Sequence, residues 1–140
     1  MNDKELRKHI SYLRMASEWS QNSCCKRKKV GALIVKDHMI ISDGYNGTPS
    51  GFPNDCEDMD GNTQWYVLHA EANAITKLAK LQSGSADGST LYATLSPCRE
   101  CSKLIIQSGI RRVFYKDEYR DQSGLQILRE AGISIIKLNY

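Results

Sequence analysis

Four residues in two short segments have the types and spacing of a metal centre that carries out chemistry. His69 and Glu71 are separated by one residue, and Cys98 and Cys101 follow in a Pro-Cys-x-x-Cys segment that begins at Pro97. Zinc prefers nitrogen and sulfur ligands in a tetrahedron, and a catalytic zinc keeps three protein ligands and leaves the fourth position to water. We therefore predict that His69, Cys98 and Cys101 bind zinc. Glu71 remains free to move protons beside the metal.

The predicted positions of the cysteines favour this chemistry. Cys98 and Cys101 are expected on the first turn of a helix over residues 98–108, where residues three apart share one face. The partial positive charge of a helix N-terminus favours the thiolates that bind metals. Bound zinc lowers the pKa of water from about 15.7 to near 7, so hydroxide is available at neutral pH.

Two other interpretations of the cysteine pair are a structural zinc knuckle and a redox pair. A structural zinc usually completes its tetrahedron with a fourth His or Cys at short spacing. A redox Cys-x-x-Cys pair rarely has a His-x-Glu segment upstream. The combination of all four residues therefore favours a catalytic site.

The composition is that of an ordinary globular chain, with 140 residues of which 41% are hydrophobic and 25% charged. This length predicts a single domain over residues 1–140 with a real core. The net charge of +3 is too small to indicate a nucleic-acid groove but is compatible with a small anionic ligand. No apolar run approaches transmembrane length, and residues 1–20 lack the apolar stretch of a signal peptide. We expect a cytoplasmic protein with no nucleic-acid and no membrane partner.

The chain contains five cysteines, an odd number. Without a secretory signal, such a count indicates metal ligation and free thiols rather than disulfides.

Hydrophobic periodicity predicts an alternating order of helices and strands. Asp3 is predicted to cap an amphipathic helix that runs to about Trp19. Apolar runs at 30–35 and 39–42 predict a hairpin, and a polar stretch then continues to about Gln64. A loop of that length in a small domain is usually functional. The remaining predicted elements are a helix over 67–81, a strand over 90–95, a helix over 98–108, a strand over 113–115, a helix over 126–131 and a strand over 133–138.

This order predicts an α/β fold, a three-layer αβα sandwich with a central mixed five-stranded sheet that is parallel in its later part. In open α/β sheets the ligand crevice lies beyond the carboxyl ends of strands, near helix N-termini. Both halves of the predicted zinc motif occupy such positions.

Further segments link the chain to a known family. His-x-Glu with Pro-Cys-x-x-Cys is the signature of zinc deaminases, and it is accompanied here by the segments 25–32, 40–49, 69–75 and 94–98. On these residues the chain resembles the cytidine-deaminase-like superfamily and, more narrowly, deoxycytidylate (dCMP) deaminases of the bacterial and phage type. The Gly-Tyr-Asn-Gly-x-Pro segment at residues 44–49 is what narrows the resemblance from the superfamily to dCMP deaminases. Free cytidine deaminases usually place Cys where His69 stands, tRNA adenosine deaminases differ after the Asn, and riboflavin-pathway deaminases space their two cysteines further apart.

The resemblance implies hydrolysis of dCMP to dUMP and ammonia, which supplies dUMP for thymidylate synthesis. Glu71 would take a proton from water and pass protons to N3 of the cytosine and to the departing ammonia, acting as base and acid in turn. Backbone groups of Ala70 and Ser96 would hold the edge of the base. Asn46 would meet the sugar and base; the alternative is that it is a turn residue in an Asn-Gly dipeptide.

The substrate phosphate needs a cation, and two arginines are candidates. Arg27 matches a basic position of the bacterial pattern, and a guanidinium suits a phosphate. Arg120, with its neighbour Tyr119, is the second candidate. The alternative for residues 26–29 is a solvated basic turn.

The other three cysteines are Cys24, Cys25 and Cys56. Some relatives carry a second, structural zinc in this part of the chain, but the loop here is short and has no further His before His69. We therefore expect free or packed thiols.

The resemblance also implies regulation and assembly. Many dCMP deaminases are homohexamers that dCTP activates, together with Mg²⁺, and that dTTP inhibits. The Gly-Tyr-Asn-Gly-x-Pro-x-Gly segment that accompanies this regulation is present here through Gly51.

Three competing functions remain. The first is deamination of another cytosine nucleotide or nucleoside. A tRNA adenosine deaminase would need an RNA-binding surface, and the segment 138–140 offers no basic helix for one. A non-catalytic zinc module would have no use for Glu71.

Overall fold

The computed structural model describes residues 1–82 and 84–140, and the described residues follow the predicted order of elements. The elements are α1 (Asp3–Ser20), β1 (Gly31–Lys36), β2 (Met39–Tyr45), α2 (Ala70–Leu81), β3 (Thr90–Leu95), α3 (Arg99–Gln107), β4 (Arg112–Asp117), α4 (Ser123–Glu130) and β5 (Ser134–Lys137).

The five strands form one mixed sheet in the order β2-β1-β3-β4-β5. β1 runs antiparallel to β2 and β3, whereas β3, β4 and β5 are parallel. Leu95 at the end of β3 pairs with Asp117 at the end of β4. The loops that follow these two strands therefore leave the sheet side by side.

Side chains of alternating strand residues fill two cores, one on each face of the sheet. On one face Leu13 and Ala16 of α1 pack against Leu33, Tyr92 and Phe114. On the other face, residues of α2, α3 and α4 pack against the sheet, among them Ala74, Leu78, Ile105, Leu125 and Leu128. The predicted three-layer αβα sandwich with a mixed five-stranded sheet is confirmed.

The cap of α1 is Asn2, so the prediction of Asp3 as the cap is wrong by one residue. The Asn2 Oδ1 accepts the Glu5 N–H at 2.9 Å, and a Glu5 carboxylate oxygen accepts the Asn2 N–H at 3.1 Å. This reciprocal capping box satisfies two helix-terminal donors, and Asp3 becomes the first helical residue.

The helix predicted to start at residue 67 starts at Ala70. Leu68 and Gly47 exchange two backbone hydrogen bonds, of 2.8 Å and 3.0 Å, which hold the chain extended up to His69. The helix predicted to start at Cys98 likewise starts at Arg99. His69 and Cys98 are therefore N-cap residues rather than members of a first turn.

The first turn of α2 packs directly on β2 at Gly44. A Cβ at Gly44 would collide with the Ala70 carbonyl oxygen and lie 2.8 Å from the Ala74 nitrogen. The Asn73 side chain also donates to the Tyr45 carbonyl at 2.8 Å. The end of β2 thereby fixes the helix start that carries His69.

The expectation of free thiols is wrong for two of the remaining cysteines. Cys25 and Cys56 form a disulfide, with 5.1 Å between their Cα atoms, while Cys24 is free and its Sγ lies 3.5 Å from that of Cys56. The pairing joins loops separated by 31 residues. Only tertiary packing brings these loops together, so the number of cysteines alone could not reveal the disulfide.

Across the described part of the chain, no helix combines the length and the apolar character that crossing a membrane requires.

Candidate active site

Three donor atoms converge where α2 and α3 begin. The Nδ1 of His69 lies 3.3 Å from the Cys98 Sγ and 3.5 Å from the Cys101 Sγ. In a tetrahedral zinc site with ordinary zinc–sulfur and zinc–nitrogen bonds, nitrogen and sulfur ligand atoms lie about 3.6 Å apart. The spacing and the chemistry of this donor set therefore fit a zinc ion.

Packing by α4 supports the cysteine side of the cluster. A Cβ at Gly124 would collide with the Pro97 carbonyl oxygen and lie 2.7 Å from the carbonyl carbon of Cys98. The backbone of α4 therefore touches the segment that delivers Cys98. Cys98 in turn caps α3, since its Sγ accepts the Cys101 N–H at 3.4 Å.

The two thiols differ in acidity. Hydrogen bonds from Cys101 and then His69 lower the pKa of Cys98 to about 4, against the opposing effect of burial. The hydrogen bond to Cys98, together with burial, raises the pKa of Cys101 above its ordinary value. The hydrogen bond to Cys98 also raises the pKa of His69. Of the two cysteines, Cys98 is therefore the one held as a thiolate, and a thiolate is the form that binds metals.

Glu71 is buried beside this cluster, with 3% of its surface exposed. Burial raises the pKa of its carboxyl to about 7, although its own backbone N–H and the neighbouring His69 favour the charged form. A carboxyl that titrates near neutral pH both accepts and releases protons readily. Glu71 therefore has the properties of a general base and acid.

A cavity of about 280 Å³ opens over these residues, and His69, Glu71 and Cys98 line it. Cys101 is buried behind them and is 3% exposed. The volume is near the lower end of the range of about 300–1,000 Å³ for small-molecule sites. Five of the residues predicted to bind substrate also line the cavity, namely Arg27, Asn46, Ala70, Ser96 and Tyr119.

The structure does not bring Arg120 to the cavity, since among the described residues the wall includes its neighbour Tyr119 but not Arg120. Sequence reasoning missed Glu57, Thr63 and Lys28, which do line the cavity. Glu57 and Thr63 belong to the long polar loop, whose length was the signal of function. That signal did not single out individual residues.

The Asn46 side chain holds the loop that leads into β1. Its Oδ1 accepts the Val30 N–H at 2.9 Å, and its Nδ2 donates to the Lys28 carbonyl at 2.7 Å. A side-chain amide has two N–H donors and an oxygen with two lone pairs. Asn46 therefore retains one donor and one lone pair beyond these bonds.

Ser96 and Ala70 present backbone groups near the donor cluster. The Ser96 Oγ accepts the Tyr119 N–H at 2.6 Å, which ties the loop after β4 to the loop after β3. Ala70 is the first residue of α2, and the N–H at that position has no partner within its own helix.

The fold and the site define a class. An αβα sandwich with His-x-Glu and Pro-Cys-x-x-Cys at two helix starts is the arrangement of zinc-dependent deaminase domains.

Comparison with known proteins agrees with this class. Residues 6–117 match the family described as "Cytidine and deoxycytidylate deaminase zinc-binding region". The deoxycytidylate deaminase of enterobacteria phage T4 is 34% identical, over 94% of this chain and 90% of the phage protein. The deoxycytidylate deaminase of Saccharomyces cerevisiae is 32% identical over 92% of this chain, which spans 44% of the yeast protein's length.

A solved structure is similar over nearly the whole chain. The dCMP deaminase of cyanophage S-TIM5, in complex with dCMP and dUMP, is 47% identical with a TM-score of 0.92, and the match covers 99% of each chain. The chain belongs to the cytidine and deoxycytidylate deaminase family, and the resemblance stated from the sequence is confirmed.

Proposed function

We propose that this chain hydrolyses dCMP to dUMP and ammonia, with one catalytic zinc held by His69, Cys98 and Cys101. The observation that carries the proposal is the buried Glu71 carboxyl beside a three-donor cluster in one cavity. The names of the phage relatives support dCMP as the substrate. Zinc bound there supplies a Lewis acid that makes water nucleophilic at neutral pH.

Glu71 moves the protons of the reaction. It takes a proton from the water that adds to C4 of the cytosine and delivers it to N3. It then transfers the second proton of that water to the amino group, which leaves as ammonia. One water is consumed, the C4–N bond breaks and a C4–O bond replaces it. The burial that raises the pKa of Glu71 to about 7 suits a group that performs both transfers.

Backbone groups orient the base. The Ala70 N–H, free of intrahelical bonding, and the backbone of Ser96 hold the polar edge of the cytosine. The donor that Asn46 retains reaches the sugar or base from the opposite loop, and the Tyr119 side chain forms a wall of the cavity.

Arg27 binds the 5′-phosphate. Arg27 and Lys28 line the same cavity as the donor cluster, at its rim where both residues are exposed. Guanidinium groups bind phosphate with paired hydrogen bonds. Arg120, which lies outside the cavity wall, is the weaker of the two candidates.

The wider proposal follows the family. The product dUMP supplies thymidylate synthesis in the cytoplasm, and the chain acts as a single domain within a homohexamer. dCTP with Mg²⁺ activates the enzyme and dTTP inhibits it. The Gly-Tyr-Asn-Gly-Thr-Pro-Ser-Gly segment at residues 44–51 supports the proposed regulation by these triphosphates.

The test is ammonia release from dCMP, deoxycytidine and CMP by the zinc-loaded full chain, each with and without dCTP and Mg²⁺. We expect a strong preference for dCMP, increased by dCTP. Activity on deoxycytidine or CMP in preference to dCMP would assign the chain to another cytosine substrate. Activity on none of the three would contradict the proposal and direct the search to RNA adenosine or a modified base.

A further inference from the structure

The basic loop 26–29 is attached to the rest of the protein through a carboxylate. The N–H of Lys26 donates to both carboxylate oxygens of Glu57, at 3.1 Å and 3.2 Å. The N–H of Arg27 donates to one of the same oxygens at 3.2 Å. Two consecutive backbone donors therefore converge on one side chain from a distant part of the chain.

The residues on both sides of this contact are fixed as well. Cys25 is bonded to Cys56, and its N–H donates to the Ser23 Oγ at 3.2 Å. The Asn46 amide holds Lys28 and Val30 on the other side. A solvated basic turn needs no such series of anchors. The main chain of this loop is instead held at a defined position on the rim of the cavity.

Glu57 itself stands on a compact hairpin-like loop, residues 56–64. Glu57 and Thr63 form an isolated β-bridge, and the Gln64 N–H donates to the Cys56 carbonyl at 2.7 Å. At the tip, the Asp58 carboxylate accepts the N–H groups of Asp60 and Asn62, at 2.9 Å and 3.0 Å. The carboxylate of Glu57 is therefore presented from a well-braced segment.

The contact holds the backbone and leaves the basic side chains available. In the residues described, Glu57 forms no ion pair within 4.0 Å with Arg27 or Lys28, and neither cation is paired with another carboxylate. Both cations line the cavity together with Glu57. A phosphate-binding guanidinium gains affinity when its backbone is positioned before the ligand arrives, because less freedom is lost on binding.

We propose that Glu57 is a positioning residue that acts through Arg27: by holding the N–H groups of Lys26 and Arg27 it sets the preference of the site for ligands with a 5′-phosphate. This inference rests on the proposed function in that it places Arg27 at the substrate phosphate. Glu57 does not touch the reacting atoms. Its effect is confined to the part of the binding energy that the phosphate contributes.

The test measures binding of dUMP and deoxyuridine to the zinc-loaded full chain by titration calorimetry. The dissociation constant of deoxyuridine divided by that of dUMP reports the contribution of the phosphate. We expect Glu57→Ala to reduce that ratio about tenfold, the scale of one lost hydrogen bond to a charged group. We expect Glu57→Gln, which keeps one oxygen acceptor, to give an intermediate ratio. Glu130→Ala, at an exposed position in α4, is the matched control and keeps the wild-type ratio.

The double variant Arg27→Ala/Glu57→Ala tests whether Glu57 acts through Arg27. We expect its ratio to equal that of Arg27→Ala alone, because a misplaced loop has no further effect once the guanidinium is gone. Additive losses would contradict the proposal. So would tighter dUMP binding by Glu57→Ala, which would show that the carboxylate repels the phosphate, or equal weakening of both ligands, which would show a merely structural role.

The outcome is separable from that of the proposed function, because binding is measured without turnover. A wild-type chain that releases no ammonia from dCMP contradicts the proposed function. If Glu57→Ala leaves the ratio of the deoxyuridine and dUMP dissociation constants unchanged, the positioning role of Glu57 is contradicted.

Discussion

His69 and Cys98 occupy the same position in two different helices, since each is the N-cap residue of its helix and the His69 Nδ1 lies 3.3 Å from the Cys98 Sγ. Both residues have extended backbone, with ψ angles of 159° and 173°. Two helix N-termini therefore converge on one point, and their partial positive charges favour thiolate there. The geometry of the donor cluster depends on how α2, α3 and α4 pack.

Glu71→Gln should separate metal binding from turnover. The amide has nearly the same shape as the carboxyl but cannot exchange protons with water or the base, so we expect a loss of at least about 10²-fold in kcat. Zinc content, measured by atomic absorption, should stay at one per chain. Turnover of dCMP within about threefold of wild type would exclude Glu71 as the proton carrier.

Gly124→Ala should weaken the metal site without touching a predicted ligand. The new methyl group would collide with the Pro97 carbonyl and press on Cys98, and overpacking of this kind costs about 1–3 kcal/mol. We expect zinc affinity, measured by competition with a chelator, to fall about 10–100-fold, as for other changes to groups that support metal ligands. Gly47→Ala is the control, because no atom of the described residues 1–82 and 84–140 lies within 4 Å of a Cβ at Gly47. Equal zinc affinity of both variants would show that α4 does not position Cys98.

The disulfide makes a prediction about thiol and zinc counts. With Cys25 and Cys56 bonded, three cysteines remain free, namely Cys24, Cys98 and Cys101. We therefore expect thiol titration of the denatured, metal-free chain to give three thiols, and the folded chain to carry one zinc. The three sulfur atoms of Cys24, Cys25 and Cys56 lie within 4.8 Å of one another. Five thiols together with two zinc ions would assign this cluster to a second metal.

The proposed effectors should change the shape of the dCMP saturation curve. In a symmetric oligomer with two states, the curve is sigmoidal without an activator. We expect dCTP with Mg²⁺ to make it closer to hyperbolic and dTTP to shift it to higher dCMP concentration. Initial rates across a range of dCMP concentrations test this. A hyperbolic curve that neither triphosphate alters would remove the regulatory proposal and leave the deaminase activity intact.

The His9 side chain should make stability depend on pH. Its ring stacks on Phe114 with centroids 4.1 Å apart, and its Nδ1 lies 2.6 Å from the Tyr92 hydroxyl. Burial and then the Arg112 cation lower the pKa of His9 below its ordinary value of 6.5, while Glu5 opposes them. As pH falls below 6.5, the unfolded chain binds a proton that the folded chain resists, so stability decreases toward the lower folded pKa.

The contribution of His9 to this pH dependence is measured by thermal unfolding. The wild type and His9→Gln are each unfolded at one pH above 6.5 and at one pH below 6.5. We expect the Tm of the wild type to fall further than that of the variant when the pH is lowered. The difference between the two proteins removes the contribution of carboxylates that titrate in both. Parallel decreases would show that His9 is not responsible.

Much of the fold follows from local patterns. The strand predicted over 90–95 is β3 without change, because a β-branched and apolar run between turn residues has few alternatives. Helix boundaries were less predictable. The start of α2 at Ala70 depends on the pairing of Leu68 with Gly47, which are distant in sequence, and no local propensity encodes that pairing.

The sequence by itself determined the chemistry of the candidate site, because ligand preference depends on residue type and because the Cys-x-x-Cys spacing places two sulfur atoms on one side of a helix start. The position of His69 as the N-cap of α2 brings it to the same cavity as Glu71. Tertiary structure decided what surrounds that chemistry. It brought Glu57 to the backbone of Arg27, left Arg120 outside the cavity and joined Cys25 to Cys56. The first and last of these features are contacts between separate loops, and the position of Arg120 likewise depends on where its loop lies. How closely these loops approach one another is set by the packing of the strands and helices that they connect, because no periodicity within a loop encodes it.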